Sequence, residues 1–281
     1  MTDGPSDVSD WWRTEIIDMA PGAIRIRGRP IEDLIGALSF PQMVWLMLRG
    51  DLPSEPQARL LEAALVAAVD HGPQAPSIAA ARMAATCGLG LNGAMATAVN
   101  MLDDVHGGAG EQAVELYRDA AARVAAGASA EAAAEASVAL WQAERSRFVP
   151  GFGHRFHKPR DPRAPRLLAL VDEAQAAGAV SGDIARVARA IQDHLDAVRG
   201  KPVPMNIDGA TAVIYAELGF APPLARGLFC LSRAVGALAH AWEQSQQGGR
   251  NKGPTPPEYR WTYEGENPIV AETKPNGRKR T

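Results

Sequence analysis

The stretch Pro150 to Arg163, PGFGHRFHKPRDPR, decides how the rest of this chain is read. It holds a glycine on either side of Phe152, two histidines (His154 and His157) and four cations (Arg155, Lys158, Arg160 and Arg163). Its prolines forbid a regular helix, so the segment reads as a fixed loop. Gly151 and Gly153 let the backbone approach a ligand closely, because no side chain stands in the way. The arginines suit a carboxylate or phosphate, since a guanidinium offers a planar fork of donors that an ammonium lacks. A solvated basic surface with one histidine packed by chance is the alternative reading of the same residues.

Outward from this loop the periodicity is helical. On its N-terminal side, apolar residues recur three and four apart through 31–38, 41–48, 54–69, 77–86 and 94–102, and two alanine-rich helices follow over about 111–125 and 130–147. On its C-terminal side, helices are expected over 164–177 and 181–198, then from Met205-Asn206-Ile207-Asp208-Gly209 to near Gly219, and from Pro222-Pro223 to about Gln247. The one expected β-structure is a two-stranded hairpin, 14–18 with 23–27, around Ala20-Pro21-Gly22. Residues 1–10 and the Gly-, Pro- and charge-rich stretch after Gly248 read as tails. The expected fold class is all-α.

At 281 residues, with 46% hydrophobic and 22% charged residues, the composition is that of a soluble globular protein. A net charge of -3 gives no general attraction to nucleic acid or an anionic membrane, so neither is an expected partner. Cys87 and Cys230 lack metal-ligand spacing and are expected to be reduced core residues. The opening MTDGPSDVSD has no basic and apolar succession, and no apolar run is long enough for a bilayer, so a cytoplasmic location is expected.

Four features fall in loops or at helix ends: Asp70-His71, His106-Gly107-Gly108, His154, and Asn206 to Gly209. Singly each has a plain structural explanation. His71 fits a helix C-terminus, His106 a satisfied core histidine, and Asp208 an N-cap. Together they supply imidazoles and a carboxylate, groups that move protons near neutral pH. No pair among them shares a helical turn, so metal is not expected.

These segments resemble the citrate synthase superfamily. AIRIRGRPIEDL (23–34) is similar to its RYRGYPIEEL; Asp70-His71 with Pro76-Ser77 resembles DH-x-x-x-AS; and HGGAGE (106–111) resembles HGGANE. Residues 151–163 resemble GFGHRVYK-x-x-DPR, Asn206-Ile207-Asp208 resembles NVD, and Arg233 to Gly236 is similar to RTVGW. The resemblance runs from about Ala23 to Gly265. It implies carbon–carbon bond chemistry between an acyl-CoA and a 2-oxo acid, with Asp208 as base, His106 as donor to the thioester carbonyl, and His154 serving the ketone or alcohol oxygen. His71, Arg163 and Arg233 fall at its carboxylate-binding positions, and Gly151, Gly153, Arg155 and Lys158 lie where it puts coenzyme A. No permanently bound cofactor is implied, because the CoA thioester is the substrate.

The resemblance also implies a homodimer and two domains: a large one from 11–150 with 220–265, and a small one over 151–219, leaving 266–281 as a polar tail. Small residues from Gly88 to Ala98 would suit packing across its two-fold axis. Gly110, His157 and Gly209 depart from the pattern, and the tail has no RPR segment, leaving Arg250, Lys252 and Arg260 as candidates for its arginine. In length the chain is most like citryl-CoA lyase, which splits citryl-CoA into acetyl-CoA and oxaloacetate. A citrate or 2-methylcitrate synthase is the alternative, and a non-catalytic CoA or dicarboxylate sensor is a third reading.

Overall fold

The computed structural model describes residues 11–154 and 157–266. Antiparallel strands β1 (Ile17–Ala20), β2 (Ala23–Ile26) and β3 (Arg29–Pro30) form a small sheet in the order β1-β2-β3. The hairpin therefore starts later than its alternation suggested and gains a third strand. Gly28 supplies the left-handed turn between β2 and β3. Ile26, Leu34 and Leu46 bury one edge of the sheet against the first helices.

Everything else regular among the described residues is helical: α1 (Ile31–Leu34), α2 (Phe40–Arg49), α3 (Glu55–Ala67), α4 (Pro76–Thr86), α5 (Leu91–Asn100), α6 (Ala109–Ala125), α7 (Ala130–Glu144), α8 (Arg163–Ala176), α9 (Asp183–Arg199), α10 (Ile207–Glu217) and α11 (Pro222–Gln247). Helices α2 and α3 start on capping boxes, Ser39 with Gln42 and Ser54 with Gln57, each followed by a proline in the first turn. Helix α10 is apolar on all sides and buried along most of its length, with Ala210, Ala212, Val213 and Ile214 fully covered. A helix of that kind has to be surrounded, and α3, α6, α8 and α9 pack around it.

A second, alanine-built cluster joins α4, α5 and α11 through Ala81, Ala94, Ala98, Ala237 and Ala241. Ala94 and Ala98 of α5 are thus used within the chain, while Ala96 is exposed. Of the two cysteines expected in the core, Cys230 is half-buried but Cys87 is exposed, because it caps the C-terminal end of α4.

The loop before α8 is stitched to the start of α10 by its main chain. Gly153 N–H donates to Pro204 O at 2.7 Å and Asn206 N–H to Gly151 O at 2.9 Å, while Phe152 and Met205 form an antiparallel bridge. Asn206 adds a side-chain bond from Nδ2 to Gly153 O at 2.9 Å. Gly151 has φ +84°, and a Cβ built on Gly209 would lie 2.3 Å from Gly151 O. Only two glycines allow this approach. Gly209→Ala should therefore lower stability by about 1–3 kcal/mol, the usual cost of overpacking, read as a lower urea midpoint with an unchanged m-value.

Candidate functional site

Asn206, not Asp208, is the N-cap of α10: its Oδ1 accepts the Gly209 N–H at 3.1 Å. Asp208 lies one residue inside the helix, and its carboxyl makes no hydrogen bond among the described residues. Burial pushes that carboxyl above the ordinary range, against the pull of the Arg233 and Arg163 charges. The result is a carboxyl able to hold a proton or to take one.

The stitched loop delivers His154 next to the start of this helix. The His157 main-chain N–H donates to His154 Nδ1 at 3.0 Å, which assigns the proton of the neutral ring to Nε2. The ring of His154 stands 5.4 Å from that of His71 and 4.4 Å from that of His157. His71 lies past the end of α3 rather than at its C-cap. Its pKa is lowered by burial first, then by the charges of Arg163 and Arg233, which favours the neutral ring.

His106 reaches the site from the turn that leads into α6. Ser77 donates its main-chain N–H to His106 Nε2 at 3.2 Å, and its hydroxyl lies 2.9 Å from the same nitrogen. A main-chain N–H can only donate, so the neutral ring carries its proton on Nδ1. Arg226 of α11 pairs with Asp103, Asp104 and Glu111 and so holds this turn against α6. A Cβ on Gly110, in the first turn of α6, would meet Asp208 O at 3.9 Å, which places that turn beside the start of α10.

Two arginines supply the positive charge. Arg233 is 4% exposed; its Nε donates to Ala68 O at 3.1 Å and its guanidinium lies 4.8 Å from the centre of the Phe229 ring. Neither Nη of Arg233 has a hydrogen bond among the described residues. Burial lowers its pKa, while the charges of Asp208 and Asp70 oppose that shift. Arg163 is held in a bidentate grip by the buried Asp161, at 3.0 Å from Nε and 2.8 Å from Nη2. Its Nη1 is left for other partners. Both guanidiniums act on His71 and on Asp208, a distribution suited to a small dianion.

A cavity of about 640 Å³ opens beside His154 and Gly153. Phe148, Phe152, Leu195 and Val203 give it apolar walls, and Arg147, Lys158, Arg199 and Lys201 bring four cations. That combination suits a long ligand with an apolar arm and phosphates. Lys158 and Gly153 line it as sequence positions; Gly151 instead packs on Gly209, and Arg155 lies outside the described residues. Sequence reasoning missed Arg147, Arg199 and Lys201. Their signal was a basic pair around Gly200 leading into Lys201-Pro202-Val203-Pro204, a short segment fixed by prolines. Of the tail candidates, Lys252 is tied near α4, its N–H donating to Thr86 Oγ1 at 3.1 Å, and Arg250 and Arg260 are exposed.

The arrangement has clear relatives. The family model for the citrate synthase C-terminal domain matches residues 53–254. Citrate synthase of Haloferax volcanii is 31% identical over 218 residues, covering 76% of this chain and 53% of that protein. The chain thus spans about half the length of the curated relatives it matches. Among solved structures, citryl-CoA lyase from Hydrogenobacter thermophilus superposes with a TM-score of 0.80 at 32% identity, covering 92% of this chain and 96% of that one. ATP citrate lyase from Methanothrix soehngenii shares the fold, with a TM-score of 0.74 at 18% identity over 95% of this chain and 45% of its own. With a family match over most of its length, this chain belongs to the citrate synthase family.

Proposed function

We propose that this chain cleaves citryl-CoA into acetyl-CoA and oxaloacetate. The observation that supports this reading is a carboxyl raised by burial in the first turn of α10, with the His154 loop tied to that helix start and the charges of Arg163 and Arg233 acting on both Asp208 and His71. The likeness to citryl-CoA lyase over nearly the full length of both chains favours cleavage over condensation.

In cleavage the tertiary hydroxyl gives its proton to His154, and its oxygen becomes the ketone of oxaloacetate. The carbon–carbon bond breaks, and its electron pair moves into the thioester as an enolate. His106, with its proton on Nδ1, donates to that enolate oxygen. Asp208 then delivers a proton to carbon, completing acetyl-CoA, and the proton on His154 returns to it through solvent. Accepting a proton on Nε2 requires His154 to switch tautomer, so its contact with the His157 N–H must open in the citryl-CoA complex. Arg163, Arg233 and His71 neutralise the dicarboxylate end, and the cation-rimmed cavity takes the CoA arm and its phosphates. Closure of the 151–219 unit over the rest of the chain would exclude water from the enolate.

The alternative is condensation by the same groups, followed by thioester hydrolysis. It is supported by the Haloferax volcanii relative and by the donor state of His154 Nε2, which suits protonation of a ketone oxygen. Turnover of citryl-CoA, followed by the appearance of oxaloacetate with free citrate measured alongside, separates the two. Oxaloacetate is the expected product; citrate alone would support the synthase, and binding without conversion of either substrate set would support a sensor.

A soluble homodimer in the cytoplasm fits this reading. No helix among the described residues is long and apolar enough to cross a membrane. On α11, Leu231, Val235, Leu238 and Trp242 form an exposed stripe at helical spacing, 58% exposed at Val235 and 55% at Trp242. A second copy of the chain would cover it. Sedimentation should give twice the chain mass, and Val235→Glu with Trp242→Glu should return it to a monomer.

Asp208→Asn should reduce cleavage by about 10²–10⁴-fold, the range for a lost general acid, with binding nearly intact. The pH dependence has a fixed sign. Cleavage needs the protonated carboxyl, so its rate falls as pH rises through the elevated Asp208 pKa, while condensation needs the carboxylate and rises through it. Single-turnover rates across pH check both statements, on citryl-CoA for cleavage and on acetyl-CoA with oxaloacetate for condensation.

A further inference from the structure

Helix α11 grips the last turn of α3 and the segment after it along one stripe. Ser232 Oγ donates to Leu65 O, Arg233 Nε donates to Ala68 O, and a Cβ on Gly236 would lie 2.1 Å from Val69 O. One turn further on, His240 Nε2 stands 3.2 Å from Asp70 Oδ1. These contacts recur at helical spacing, so α11 and the segment can lie together in only one register.

The last contact of the stripe has a second partner. Arg82 of α4 donates from Nη1 to His240 Nδ1 at 3.0 Å. Arginine has no acceptor, so Nδ1 accepts and the neutral ring presents an Nε2 proton to Asp70. Asp70 in turn accepts the Gly72 N–H on Oδ2 at 3.1 Å, closing the turn that carries His71. Arg82 is itself fixed by Glu243, and by Gln247 at 2.7 Å. The charged or titratable groups around His240 are thus Asp70, Arg82 and Glu243. Helix α4 also bears Ser77, which orients His106.

We propose that His240 is a positioning residue: through Arg82 and Asp70 it fixes the His71 turn relative to α4, and so sets the distance between the carboxylate-binding histidine and His106. Its kinetic consequence rests on the function proposed above. Its structural consequence does not. Held in this register, His71 stays beside Arg163 and Arg233, whose charges bear on it.

The test follows the His71 ring by NMR titration and the Gly72 amide by hydrogen exchange in the full chain. His240→Ala should move the His71 pKa up toward its ordinary value and speed Gly72 exchange about 3–10-fold, the equivalent of one hydrogen bond. His240→Gln puts an amide donor where Nε2 stood and should restore both. His240→Asn reaches only the Nδ1 position and should not; this pair decides the matter if the alanine variant fails to fold. Wild-type titration and exchange in both His240→Ala and His240→Asn, or no recovery in His240→Gln, would overturn the assignment. On citryl-CoA, His240→Asn should weaken inhibition by oxaloacetate about 3–10-fold while kcat changes less. If the wild-type chain does not turn over citryl-CoA, the functional reading falls while the NMR comparison still decides the role of His240.

Discussion

The contact of Gly151 with Gly209 is the constraint on which the rest of the site depends. A loop full of prolines and cations has little to hold it, and a buried apolar helix has no side chain to spare for holding it. Main chain meets main chain instead, at a distance that excludes any Cβ. Because the attachment is made of backbone, its length is fixed by covalent geometry rather than by rotamers, and the residues on either side inherit that precision. His154 comes three residues after one partner and Asp208 directly precedes the other.

Main-chain donors also settle the protonation of the two imidazoles. The His157 N–H chooses the tautomer of His154, and the Ser77 N–H chooses that of His106. Each ring is turned by a group that cannot itself titrate, so the choice survives changes of pH that would alter a carboxylate partner. The arginines show the same economy of means. Arg163 is braced by the buried Asp161, whose carboxyl feels burial first but is held below its usual range by the hydrogen bonds and charge of Arg163. Arg233 has no such partner and leans on an aromatic face and a carbonyl.

Much of this was legible in the sequence. Glycines and prolines marked nearly every helix end, and the apolar stretch after Asn206 read as a helix. The three-stranded sheet was missed because Arg29-Pro30 is too short to show alternation, and Cys87 was misplaced because a cysteine at a helix end carries no periodic signal. Asp208 was ambiguous between cap and reactive group. Asn206 decided it, two residues earlier, because one polar side chain had taken the capping bond. Arg147, Arg199 and Lys201 were illegible as a set, since Arg147 is far in sequence from the pair around Gly200 and only the fold brings them to one cavity. Ser77 stood in a quoted motif, yet nothing about a serine in sequence says which histidine it will turn.

Asn206 bears two duties at once, its oxygen on α10 and its nitrogen on Gly153. For the helix alone, aspartate would serve as well, since both are favoured caps. For the loop it would be the wrong sign, because a carboxylate has no hydrogen to offer a carbonyl. A deamidated copy of this protein would therefore keep its secondary structure and its core while the histidine-bearing segment lost its side-chain tie and was left on its main-chain bonds alone, an ageing lesion invisible to circular dichroism.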